Sequence, residues 1–175
     1  MSAMDELAKR LAAFEGRQAK VGWFETARYP DGKQVAEVAI IQEMGAPGAS
    51  IPARPFIRPT VEAKREEWTE QFIKGAKAVV RGAVTAEQVL EIMGQKAAGD
   101  IRTVLASGDF LKLSPITLML RKWKDEDSSF KVNGTMVGAA AQAVKEGEEG
   151  SSRTQPLHDT GLMIATLTSV VGDDE

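Results

Sequence analysis

The chain has no cysteine, a single histidine, a single tyrosine and no excess of positive charge. Each shortage closes a class of function. Without cysteine there are no disulfides, no thiolate metal sites and no thiol nucleophiles. One histidine, His158, leaves no His cluster for zinc and no HExxH pair. A net charge of −3 has the wrong sign for a protein whose main task is to grip nucleic acid, although a local basic patch remains compatible with it. Aromatic residues make up only 6% of the chain, so the core is expected to be aliphatic. No run approaches the roughly 18 apolar residues that span a bilayer. Met1 to Gly16 carries Asp5, Lys9, Arg10 and Glu15 where a signal peptide has its apolar stretch. The expectation is a soluble, unexported chain with no membrane partner.

Signatures of cofactor and phosphate chemistry are also missing. There is no GxxxxGK[ST], no strand–GxGxxG–helix unit and no EF-hand spacing. No glycine elbow surrounds any serine. The glycines at 45 and 48 lie on either side of Pro47, which lacks the amide donor a phosphate cradle uses. No cofactor and no metal is expected, and no enzyme activity is assigned.

What is present suits one domain, since 175 residues can bury a real core, and 43% hydrophobic with 27% charged residues is ordinary globular composition. Met4, Leu7, Leu11 and Phe14 recur at helical spacing over 2–15, with Ser2 as cap, Asp5 three residues on, and Gly16 as stop. Val21 to Glu25 reads as a strand, and Pro30-Asp31-Gly32 as a turn. Residues 34–44 suit a helix ending at Gly45, with Val35, Val38, Ile41 and Met44 as its apolar spacing. Four prolines and two glycines make 45–59 irregular, while Ile51, Phe56 and Ile57 make it an ordered loop rather than a linker.

A long helix is expected from Thr60 to about Arg81, with Val61, Trp68, Phe72, Ala76 and Val79 on one face. Thr85 and Gln88 form a capping box for the next helix, whose stripe runs from Val89 through Ile92 to Leu105. Gly94 and Gly99 interrupt it and allow a partner helix to approach. Ser114-Pro115 starts another helix. Residues 125–156 turn polar and small, and are expected to be an insertion or arm. Within it Asn133-Gly134 suggests a hairpin, Ala139 to Lys145 one or two helical turns, and Glu146 to Thr154 a mobile stretch. Asp159 is a candidate cap for a short turn of helix. Thr166 to Val171 suits a last strand, able to pair with the Val21 strand.

Few side chains invite chemistry. His158 stands beside Asp159, but sequence neighbours on a strand do not face each other, so a hydrolase built on His158 is a remote alternative. Lys74, Lys77 and Arg81 fall on one side of a helix, and Arg121-Lys122-Trp123-Lys124 mixes cations with an aromatic. These carry a second alternative, a nucleic-acid-binding assembly module. Trp123 also suits a packing role or an interface anchor.

Two segments carry a resemblance. Ile41-Gln42-Glu43-Met44-Gly45-Ala46-Pro47 leads into Ile51-Pro52-Ala53-Arg54-Pro55-Phe56-Ile57-Arg58-Pro59, and Ser114-Pro115-Ile116-Thr117 is followed after 125–156 by Pro156-Leu157-His158-Asp159-Thr160-Gly161-Leu162. In this order, and with Val21-Gly22-Trp23-Phe24 ahead of them, they resemble the tail-completion, neck and minor tail proteins of long-tailed bacteriophages. That family has a short connection where this chain has 125–156.

The resemblance implies one α+β domain over 1–175, a small antiparallel sheet packed against several helices, to which the residues of this chain add the long Pro-rich loop and a flexible insertion. It implies a structural protein of the virion, assembled in the host cytoplasm, at the head-proximal end of the tail. There it would form a ring with itself, often sixfold, around the DNA channel and help head and tail to join. Its partners would be a tail terminator or tail tube protein and head–tail connector proteins, with DNA passing through unbound. The candidate interface residues are Ile51, Arg54, Phe56, Arg58, Trp123, Leu157 and His158. A loop stiffened by proline loses little entropy on docking. The opposite placement is also open, with Phe56 and Ile57 folded onto the core and the arginines paired to carboxylates.

Overall fold

The structure is a computed structural model that describes residues 2–127, 129–157 and 161–173. His158, Asp159 and Thr160, named above, lie outside the described residues. The chain is α+β and divides into two compact units, Met1–Gly108 with Gly161–Glu175, and Asp109–Thr160. The sequence sets one domain over 1–175 with an arm over 125–156; the second compact unit spans Asp109–Thr160. The inserted piece is wider, and takes in the helix that starts at Ser114-Pro115.

In the first unit, α1 (Ala3–Ala12) is capped as its sequence suggests. Ser2 Oγ accepts the Asp5 N–H at 3.2 Å, and the Asp5 carboxylate accepts the Ser2 N–H at 2.8 Å. The strand expected at Val21 to Glu25 begins earlier and ends sooner, as β1 (Arg17–Gly22). It pairs antiparallel with β2 (Thr168–Asp173), Val21 opposite Ser169, so the proposed pairing of the Val21 strand with the last strand is observed. Trp23 is out of the ladder because its ring is needed inside. Its indole N–H donates to the Met163 carbonyl at 2.8 Å, and its ring meets Phe56 edge-on at 6.0 Å. The turn at Pro30-Asp31-Gly32 closes through the Gly32 N–H to the Tyr29 carbonyl.

Two long helices form the body of this unit, α3 (Ile57–Val80) and α4 (Ala86–Ser107). The Thr85–Gln88 capping box starts α4, with bonds of 3.1 and 2.9 Å. Its fully buried line is Leu90, Gly94, Ala98, Ile101 and Leu105, whereas Ile92, expected in the stripe, is exposed. Gly94 faces the sheet and not another helix: a Cβ there would lie 2.8 Å from that of Ser169. Gly99 has open space around it.

Across the α3–α4 seam, Lys96 pairs with Glu67 at 2.8 Å and Trp68 donates to Asp100, which also pairs with Lys96 along α4 at 3.1 Å. The hydrogen bond from Lys96, then that from Lys64, pull the Glu67 carboxyl from 4.5 to about 2. A carboxyl lowered on folding contributes stability above its unfolded value and loses it as pH falls toward its folded one. Replacing Glu67 with glutamine should therefore flatten the loss of stability between pH 4.5 and about 2. Thermal melts across that range check it. Helix α1 packs against α3 in antiparallel order, with Arg10 donating to the Val80 carbonyl at 3.0 Å and Phe14 meeting Phe72 at 5.4 Å.

The second unit pairs α5 (Pro115–Glu126) with α6 (Gly134–Lys145). Met119, Ala140 and Ala143 form its buried centre, with Ile116, Leu120, Trp123 and Val144 packed against it. Asn133-Gly134 makes no hairpin. The Asn133 side chain accepts the Met136 N–H at 3.0 Å and caps α6, which absorbs Ala139 to Lys145. The stretch expected to be mobile is instead tied along α5. Ser151 N–H donates to the Leu118 carbonyl at 2.9 Å, Lys122 to that of Glu149 at 3.2 Å, and Arg153 pairs with Asp125. Gly150 permits this approach, since a Cβ there would lie 2.7 Å from the Leu118 carbonyl carbon. Gly150→Ala should lift this strap, at a cost of about 1–3 kcal/mol. Faster proteolysis at 146–155, with unchanged protection of α3 and α4, is the expected result.

Candidate functional site

The two halves of the Pro-rich motif meet at the end of α2 (Val35–Met44). Helix α2 buries Val35, Ala39 and Glu43, one row at four-residue spacing. Hydrophobic spacing alone places Val35, Val38, Ile41 and Met44 together on the apolar side. Only Val35 of these is buried, and the inward face carries a carboxylate.

Glu43 is turned inward because the first turn of α3 needs an acceptor. The Glu43 carboxylate takes the N–H groups of Phe56 at 2.6 Å, Ile57 at 2.9 Å and Arg58 at 3.1 Å. Helix N-termini leave their first amides without partners, and an anion there also meets the positive end of the helix dipole. The guanidinium of Arg58 adds a bond at 3.0 Å and a second to the Glu43 carbonyl at 3.2 Å. This explains why α3 starts at Ile57 and not at Thr60. Pro59 sits in the first turn, where a missing N–H is harmless.

Burial is the largest single influence on the Glu43 carboxyl and would raise its pKa. The three amides and Arg58 together outweigh it, and the group is held below its ordinary value. With both oxygens engaged, Glu43 is a fixed anion and not a proton carrier.

The rest of the loop is pinned to the same helix. Gly45 ends α2 at φ 74° and ψ 169°. Ala46 and Ile51 then exchange backbone bonds of 2.9 and 3.1 Å around a 3-10 turn, Pro47–Ala49. Arg54 N–H donates to the Gln42 carbonyl at 2.7 Å, and its guanidinium to the Gln42 side chain at 3.0 Å. Acceptors thus come from IQEMG and donors from ARPFIR, so the two halves of the motif are one structure.

Of the candidate interface residues, Phe56 is fully buried and Arg54 nearly so, at 6% exposure. Both work inside the unit, which corrects the expectation that they stand on the surface. Ile51 is half-buried, and the Arg58 side chain is 61% exposed beside Glu43. In the second unit Trp123 is half-buried in the small core and meets Phe130 at 6.0 Å. Leu157 is half-buried with φ 66°.

Comparison of the chain with protein-family models, with curated proteins and with solved structures finds no match.

Sequence reasoning missed two features. Glu43 could have been suspected, as a carboxylate in line with Val35 and Ala39 at four-residue spacing on a largely apolar helix. The other is what the rotation of α2 leaves outside: Ile40 and Met44 are 64% and 59% exposed, and Ile41 is 39% exposed. Among the described residues no group of His, Cys, Asp and Glu could hold a metal, and no helix is long and apolar enough to cross a membrane. The cations of the Arg121-Lys122-Trp123-Lys124 stretch are in part engaged within the second unit: Arg121 donates to the carbonyl of Gln155 at 3.3 Å, and Lys122 to that of Glu149.

Proposed function

We propose that this chain is a structural, non-enzymatic virion protein of a long-tailed phage. It would act at the head-proximal end of the tail, forming a ring around the DNA channel and enabling head and tail to join. The observation that carries the reading is the joined motif. The first of the segments by which the chain resembles tail-completion proteins, 41–47 with 51–59, forms a braced unit around Glu43, next to an apolar helix face open to solvent. Stiff backbone and exposed apolar surface are what repeated subunit contacts need. A tail terminator or tail tube protein on one side and connector proteins on the other would be its neighbours. DNA would pass through without specific binding.

Sedimentation over a concentration series tests the self-assembling part of this reading. Association that grows with concentration is expected. A chain that remains monomeric at the highest concentration, and also binds no tail or connector component, contradicts it. Retention of DNA that weakens steeply with salt would favour the nucleic-acid module instead.

A further inference from the structure

The first unit carries two apolar surfaces of matching length and opposite charge. On α2, Glu37, Ile40, Ile41 and Met44 follow the spacing i, i+3, i+4, i+7, and all four are exposed. They make one stripe about 10 Å long at 1.5 Å per residue. On α3, Phe72, Ile73, Ala76 and Val80, with Lys77 and Arg81, line an open groove of about 390 Å³. From Phe72 to Val80 this is about 12 Å. Phe72 and Ile73 are 37% and 46% exposed, although Phe14 already covers one side of Phe72.

The charges set the direction. Glu37 lies at the N-terminal end of the α2 stripe, and Lys77 and Arg81 at the C-terminal end of the groove. All three are exposed, and none has an ion-pair partner among the described residues. Laid antiparallel, the stripe puts Glu37 against Lys77 and Arg81, and Met44 against Phe72 and Ile73. Laid parallel, it would leave Glu37 at the apolar end.

We infer that the outer stripe of α2 docks antiparallel into the α3 groove of a second copy of this chain. The inference rests on the ring reading above and names its subunit contact. A contact between two different patches is heterologous. Each copy added leaves one stripe and one groove free, so the same contact repeats until the rotation closes a ring.

The chain has no cysteine, so two introduced thiols pair only with each other. Met44→Cys and Ile73→Cys change exposed side chains and leave Glu43 and the core untouched. Mixed in equal amounts and oxidised, the two single variants should give a disulfide-linked dimer. Each alone should give none. The double variant should give a ladder of dimer, trimer and higher forms that collapses on reduction. Absence of the dimer from the mixture overturns the proposal. So does Met44→Cys dimerising by itself, which would mean two α2 stripes face each other. As a second arm, Ile40→Asp should abolish association while circular dichroism stays unchanged, and wild-type association by that variant overturns the proposal. If the wild-type protein caps tail tubes but the mixture gives no dimer, this contact is wrong and the neck role stands. If the mixture dimerises and the wild type ignores tubes, the contact stands and the neck role falls.

Discussion

Glu43→Ala should destabilise the first unit by about 2–4 kcal/mol, from the loss of a helix cap and a buried amide left without an acceptor. For a chain of this size that is a fall of about 10 °C in melting temperature. The change takes the acceptor from three amides and a guanidinium at once. The Phe56 amide is buried, and an unsatisfied buried donor carries its full desolvation cost. Phe56 and the start of α3 then lose their tie to α2. Glu43→Gln keeps one oxygen but loses the charge, and should fall between wild type and alanine. The pH dependence separates the two effects. Glu43 has its carboxyl lowered on folding. Its contribution is present above the unfolded value and is lost as pH falls through the folded one. The glutamine variant should lack that acid-sensitive part. A Glu43→Ala protein that melts within 2 °C of wild type would show that the cap has no energetic weight.

Gly45→Ala should be nearly as damaging, at about 3 kcal/mol, through strain and not lost bonds. Its φ of 74° with ψ of 169° is a region essentially restricted to glycine. A Cβ there would also lie 2.7 Å from the Ala53 backbone nitrogen, a position that cannot give without moving the loop. Displacing Ala53 disturbs Arg54, whose amide sits on the Gln42 carbonyl. The two variants damage one assembly, so their combination should cost less than the sum of the two. Full additivity in a double-mutant cycle would separate the turn from the cap. Hydrogen exchange at Phe56, Ile57 and Arg58 gives the same information by residue, with faster exchange expected in both variants.

Local chemistry was readable from the sequence wherever both partners lie within a few residues. The Ser2–Asp5 and Thr85–Gln88 capping boxes and the Ser114-Pro115 start were legible because each closes over one turn. The antiparallel pairing of the first and last strands also followed from pattern. The place of Trp23 beyond the strand did not, because its partners Phe56 and Met163 are distant in sequence.

The role of Glu43 was hidden because its partners are 13 to 15 residues away. Hydrophobic spacing then misassigned the inner face of α2, since the cap took priority over apolar periodicity. Asn133-Gly134 fits a hairpin turn and a helix cap equally well, and the helical residues that follow decided for the cap. The strap over 148–155 looked unstructured because its anchors, Arg121, Lys122 and Asp125, sit on another element.

Imaging the purified protein by negative stain, alone and mixed with tail tubes that lack it, tests the neck assignment most directly. Rings, or density capping one end of each tube, are the expected result. Small monodisperse particles that leave the tube ends bare would contradict it.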